Sequence, residues 1–181
     1  MSRLRRILCD RDGSAFPLIV AVALAMVIVV CGVSEYFRLQ TIAQGVRDAM
    51  QSAVIATVND NYRGVYRGTR EGYSGAYEPV DGGFVPAIGP GDVYGRMDDI
   101  LGTVYAGDAH IKYTGDGGTE FRVWGLDVVM TNAPLASGDR PSQRFTADCA
   151  IELEVPVSFG GRLLPPMRIT VHTTAGYTPK F

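Results

Sequence analysis

The longest uninterrupted pattern in the chain is apolar: from Ala15 to Val33 no charged residue occurs, and Leu, Ile, Val, Phe and Met dominate. A bilayer core of about 30 Å needs roughly 20 such residues in a helix, so the stretch is long enough to span. A secretory leader has a shorter apolar region, about 7 to 15 residues, followed by small residues and a polar stretch. Ala23-Leu24-Ala25 has the small residues, but Met26 to Val30 follow directly and leave no polar region for a signal peptidase. Cys31 invites a lipoprotein reading, yet Val30 stands where a small residue should precede it.

Beyond the apolar run the period changes. Leu39, Ile42, Val46, Ala49, Ala53 and Ala56 recur in steps of three and four, with Met50 and Val54 widening the stripe. Gln40, Gln44, Arg47, Asp48, Gln51 and Ser52 take the other side, which is the pattern of a helix buried along one face. No proline intervenes from Leu18 to Asn61, so one helix is expected to run through both halves and to stop near Asn59-Asp60-Asn61. Gly45 is its weak point, at about 1 kcal/mol relative to Ala.

Farther on, the pattern first fades and then becomes one of strands. Residues 62 to 96 are rich in Gly, Tyr and Pro without sustained period, the mark of loops or short strands, and MDDILGTVY from Met97 suggests a short helix opened by a solvated Asp98-Asp99 pair. A strand is expected near Ile111-Lys112-Tyr113. Phe121 and Val123 share one parity and Leu126, Val128 and Met130 the other, so one extra residue in a bulge near Gly125 would return all five to one face. Ile151, Leu153, Val155, Val157 and Phe159 alternate with polar residues, as do Met167, Ile169, Val171, Thr173 and Ala175. Pro156, lacking an N–H, is expected on an edge strand. A hairpin turning through Gly160-Gly161 and Pro165-Pro166 would join these two strands. The result is an α+β fold: a long N-terminal transmembrane and amphipathic helix packed on a small antiparallel sheet of three or four strands. Four regions follow, a basic leader at 1–13, a spanning helix at 14–36, its amphipathic continuation at 37–61, and an outer domain at 62–181.

Charge sets the orientation. Arg3, Arg5, Arg6 and Arg11 precede the apolar run, and only Arg38 and Arg47 follow closely, so the positive-inside bias puts the N-terminus in the cytoplasm and the outer domain on the far side. Glu35 and Arg38, three apart, are spaced for an ion pair of about 0.2–0.5 kcal/mol, flanked by Tyr36 and Phe37 as an interfacial aromatic anchor. Glu35 is also the candidate to meet a basic group of a neighbouring helix.

Gly13 before an apolar helix, GVSEYFRL from Gly32 to Leu39 at its end, and an Ala-rich amphipathic continuation resemble the TadE/TadG-like minor pseudopilins of Tad (Flp) pilus systems. The resemblance covers about the first third of the chain. It implies cleavage by prepilin peptidase between Gly13 and Ser14, and a life as a pilus component or assembly factor among other pilin-like subunits and the lipid bilayer. The pattern departs at Leu18, where many prepilins carry a glutamate, and Pro17 precedes it. The competing expectation is a single-pass tethered binding or adhesion protein that uses its Tyr-rich loops as a contact surface.

Catalytic signatures are sparse. Gly72-Tyr73-Ser74-Gly75-Ala76 misses the last glycine of a nucleophile elbow. His110 and His172 lie apart with no close His/Cys set, so no zinc site is expected, and a Ser or Asp brought within reach of either histidine would be the mark of a hydrolase. Asp108, Asp116 and Glu120 sit in turn-forming Asp-Gly contexts and lack the spacing of a calcium loop. Cys9, Cys31 and Cys149 fall in leader, membrane and outer strand, so no pair is available outside for a disulfide; Cys149 is expected to be a small buried residue. Tyr and Arg interleave at residues 62–73, yet acidic residues offset them and the net charge is −2, which argues against nucleic acid as a partner. Neither an enzyme activity nor a cofactor is expected.

Overall fold

A computed structural model describes residues 16–64, 76–81, 83–130, 145–159 and 162–177. The fold is α+β, as the pattern predicts. Helix α1 spans Phe16–Gly64, and a second helix, α2, spans Pro90–Leu101. Strands β1 (Tyr77–Val80) and β2 (Gly83–Pro86) form a two-stranded antiparallel sheet. Strands β3 (Val104–Ala106), β4 (Ala109–Tyr113), β5 (Thr119–Met130), β6 (Phe145–Phe159) and β7 (Arg162–Tyr177) form a five-stranded meander in chain order. All its pairings are antiparallel.

Two compact units divide the chain, Met1–Arg38 and Leu39–Phe181. In the first, α1 is one helix long and apolar enough to cross a membrane, and none of its most apolar window is buried. Leu18, Met26 and Val30 are all more than half exposed. Such a helix near an N-terminus suits a membrane anchor or a signal sequence.

The second unit carries the core. Ile42, Val46, Ala49, Met50, Ala53, Val54 and Val58 of α1 are buried, and they cluster with Phe121, Val123, Leu126, Ile151, Leu153, Val155, Val171 and Ala175 from the sheet. The stripe read from the sequence is therefore the core-facing side of the helix. Each Val, Ile or Met of that stripe contributes about 1.5–3 kcal/mol of gross burial energy before chain entropy is set against it.

The bulge in β5 falls where the phase change predicts it. Register shifts between Trp124 and Asp127, and Gly125 takes φ 64°, a left-handed conformation that costs a residue with a Cβ about 1–2 kcal/mol. Phe121, Val123 and Leu126 are consequently all buried on one side of the strand.

Four expectations need correction. The sheet has five strands where three or four are expected, because the short strand Val104–Ala106, three residues with no alternation to read, adds an edge. Pro156 lies in β6, an interior strand of the sheet. It is tolerated because β5 pairs with β6 no farther along than Glu154, and the β6–β7 register shifts between Val155 and Val157. Proline sits at a gap in the ladder, where no N–H is needed. Pro165 and Pro166 lie inside β7 at the same irregularity, and the strands close with Phe159 paired to Arg162, so only Gly160-Gly161 connect them. Helix α2 begins at Pro90 instead of Met97: Pro90 takes the first helical position and the Asp92 carboxylate accepts a hydrogen bond from the Gly89 N–H at 3.3 Å. Asp98-Asp99 therefore stand in its last turn, not at its start.

Candidate functional site

Of the residues expected to carry function, Gly13 and Ser14 lie outside the described residues. Glu35 and Arg38 are brought together as their spacing predicts: Arg38 Nη2 donates to Glu35 Oε1 at 2.7 Å and Nε to Oε2 at 3.1 Å. This two-point geometry matches guanidinium to carboxylate and leaves a locally neutral patch on the helix. Tyr36 and Phe37 beside it are exposed, with ring centroids 6.0 Å apart.

One polar constellation among the described residues was not legible in the sequence. It gathers Tyr94 and Asp98 of α2, Thr103, Tyr105 of β3 and His110 of β4. Gly102, at φ 65°, turns the chain out of α2, and the short strand β3 returns it to β4, which puts Asp98 against His110. Both Asp98 oxygens lie 2.8–2.9 Å from His110 Nδ1, and Thr103 Oγ1 donates to Oδ1 at 2.6 Å. An ionised carboxylate only accepts, so Nδ1 carries the hydrogen. The imidazole stacks on Tyr94, with centroids 4.1 Å apart and planes 4° from parallel, and the ring of Tyr105 is tilted against it at 5.1 Å. Tyr94 Oη accepts the Leu126 N–H of the β5 bulge at 2.8 Å, and burial raises its phenol above the ordinary value. Lys112 Nζ donates to the Leu101 carbonyl at 2.6 Å, capping the C-terminus of α2.

This places an aspartate within reach of a histidine, the feature that would mark a hydrolytic centre. A triad also needs a hydroxyl or thiol on the other ring nitrogen. Among the described residues no hydrogen bond joins His110 Nε2 to such a group; those of His110 run to Asp98. His172 lies on the exposed face of β7, opposite Ala150. What the cluster does on this geometry is fasten α2 to the β3–β4 edge and to the β5 bulge.

A second network lies on the face of the sheet turned away from α1. Arg122, Glu154 and Arg168 are direct neighbours across β5, β6 and β7. Glu154, only 7% exposed, accepts from Arg168 Nε at 2.6 Å and lies 3.6 Å from Arg122 Nη1. Both guanidinium carbons stand about 6 Å from the Trp124 ring centre, at 6.0 and 5.9 Å. Arg122 also reaches Asp108 at 3.4 Å.

The remaining candidates resolve into ordinary structure. Cys149 is buried as expected, and its thiol is pushed up to about 11 by burial first and by the charges of Asp148 and Asp127 after that. Asp116 accepts from Thr114 Oγ1 and from the Gly118 N–H, a turn that holds its carboxyl below the usual range. No group of three or more His, Cys, Asp and Glu side chains is placed to hold a metal among the described residues. A polar cleft between α1 and α2 is lined by Asp60, Asn61, Asp92, Arg96 and Asp99, and Arg96 pairs with Asp60 across it.

Comparison with protein-family models, with curated proteins and with solved structures finds no match to the chain.

Proposed function

We propose that the protein is a membrane-anchored, pilin-like subunit of the minor pseudopilin kind, a component of a Tad/Flp-type pilus or of its assembly apparatus. It works through helix packing and protein contacts, not through bond-making chemistry. The observation that carries this reading is α1, a single helix whose first half is bare apolar surface and whose second half is the spine of a small antiparallel sheet domain. Bare apolar helix surface is stable in lipid or against like helices, and a subunit that exchanges one for the other leaves the bilayer for a fibre. The arginines of the leader orient it with the N-terminus inside and the sheet domain extracytoplasmic. The paired Glu35 and Arg38 let the helix pass the membrane interface without an isolated charge, and they are available to re-pair with a neighbouring helix during assembly.

The test is the N-terminal residue of the protein isolated from its native membrane, with and without the host's prepilin peptidase. A peptidase-dependent start at Ser14 supports the reading. An intact Met1, with no pilus component recovered by proximity labelling, replaces it with a tethered binding or adhesion protein. A start near Met26 makes the apolar run a cleaved leader and overturns the anchor.

A further inference from the structure

Strand β6 outruns its neighbour β5. Among the described residues β5 pairs with it no farther than Glu154, while its pairing with β7 continues through Val157↔Leu164, Ser158↔Leu163 and Phe159↔Arg162. Those pairs form an arm of two strands beyond the five-stranded body. Between body and arm the register steps from Val155↔Met167 to Val157↔Leu164, so one residue of β6 stands against two of β7, which is a bulge. The one is Pro156 and the two are Pro165 and Pro166.

A bulge of ordinary residues keeps backbone donors at the point where it disturbs the ladder. Here proline fills every position, so the junction has no N–H of its own to give, whatever conformation it takes. Proline side chains donate nothing either, whereas on the body side Arg168 binds Glu154 and Thr170 binds Glu152 across the same two strands. Burial falls at the same place. Leu153 and Val155 are fully buried and Val157 is half-buried, while Leu164, Pro165 and Pro166 are exposed. A two-stranded ribbon without a core layer is marginal in water.

We infer that the arm, Val157–Phe159 with Arg162–Leu164, opens and closes as a unit of its own, and that the three-proline bulge is the break that keeps its opening from running into the body. The device lets this end of the hairpin change its pairing while the domain keeps its core. It rests on the β6–β7 ladder and is independent of the pilus reading.

The test is native-state hydrogen exchange of the full chain in detergent micelles, read amide by amide over a series of low urea concentrations. Arm amides that face the partner strand are expected to exchange at least about a hundredfold faster than those of Ile151 and Leu153, because opening free energies range from near zero to the global value. Their rates respond little to urea, since the arm exposes little surface on opening, whereas Leu153 follows the global slope. Protection drops in one step between Val155 and Val157, where ordinary fraying of a strand end grades smoothly along β6. Replacing the prolines together, with Pro156→Val, Pro165→Val and Pro166→Val, returns donors to the bulge, and each ladder bond regained slows arm exchange about two- to tenfold. Leu153 in that variant exchanges no more slowly than before, because the unfolded chain gains freedom. A smooth gradient along β6 overturns the inference, as do arm rates that follow the global urea slope. So does a triple-valine variant, folded by its Trp124 fluorescence, whose arm exchanges as fast as the original.

Discussion

If the Asp98–His110 contact fastens α2 to the sheet, its removal has a size that can be worked from the geometry. Asp98→Ala deletes the acceptor for His110 Nδ1 and Thr103 Oγ1 and leaves both donors with poor access to water. Hydrogen bonds to charged groups contribute about 1.5–3 kcal/mol, and an orphaned buried donor costs about 1–3. The His110 and Asp98 side chains are 11% and 24% exposed, so water screens part of this and the lower half of the range applies. We expect about 2 kcal/mol for Asp98→Ala. His110→Ala also loses the stacking on Tyr94, about 0.5–1.5 kcal/mol, and leaves a cavity, so about 3 is expected. Asp98→Asn retains the shape and the Thr103 contact and should cost about half as much as Asp98→Ala. The assay is urea denaturation of the full chain in detergent micelles, followed by Trp124 fluorescence, with the double variant completing a mutant cycle. A coupling of about 1–2 kcal/mol at an unchanged denaturant slope is the expected result. Coupling below about 0.3 kcal/mol refutes the reasoning, because the two side chains would then be neighbours without being partners.

Alkaline titration gives a second test. Cys149 is raised from 9.0 to about 11 and Tyr94 and Tyr77 are raised by burial, so the unfolded chain deprotonates first. Stability is therefore whole below about pH 9 and is lost as pH climbs towards 11, and Cys149→Ala flattens the first part of that decline. The same burial keeps Cys149 unreactive towards maleimide at pH 8 until urea unfolds the domain. Gly125→Ala should cost about 1–2 kcal/mol, because Glu152 Cγ at 3.8 Å leaves room for the new methyl and the left-handed backbone is the whole penalty. Deleting Gly125 instead turns Leu126 outward and should prevent folding, seen as lost protease resistance. Glu154→Ala should cost about 2 kcal/mol by taking the carboxylate from Arg168 and leaving Arg122 only the exposed Asp108, whereas Arg168→Ala, whose side chain is 68% exposed, should cost under about 1; thermal denaturation distinguishes them.

Which of these features show in the sequence follows from the range of the interactions that make them. The stripe from Ile42 to Val54 and the alternation in β6 and β7 repeat locally, so period alone reveals them. The Gly125 bulge is legible for the same reason, since Leu126, Val128 and Met130 keep the phase they were shifted into. Helix α2 is half-hidden because Gly91 and Gly95 dilute its signal, and only MDDIL at its end reads as helix. Pro156 shows the limit of alternation, which identifies a strand but not its neighbours. Asp98 and His110 are separated by a turn, a strand and a second turn, and their meeting depends on α2 folding back over β4. Gly102, in a left-handed turn, is the one local sign of that reversal.

The position of the core stripe at the start of the chain has a consequence for the order in which the protein is made. Ile42 to Val58 leave the ribosome early, but Val171 and Ala175, which complete their enclosure, follow more than a hundred residues later. At about 5–20 residues per second, translation holds that stripe uncovered for roughly 6–23 seconds. Local order in the helix is available at once, whereas the sheet gains its interior strand β6 as a two-sided surface only when β7 arrives. The domain is thus committed late, and its earliest segment needs a temporary occupant, whether a chaperone or lipid, throughout its own synthesis.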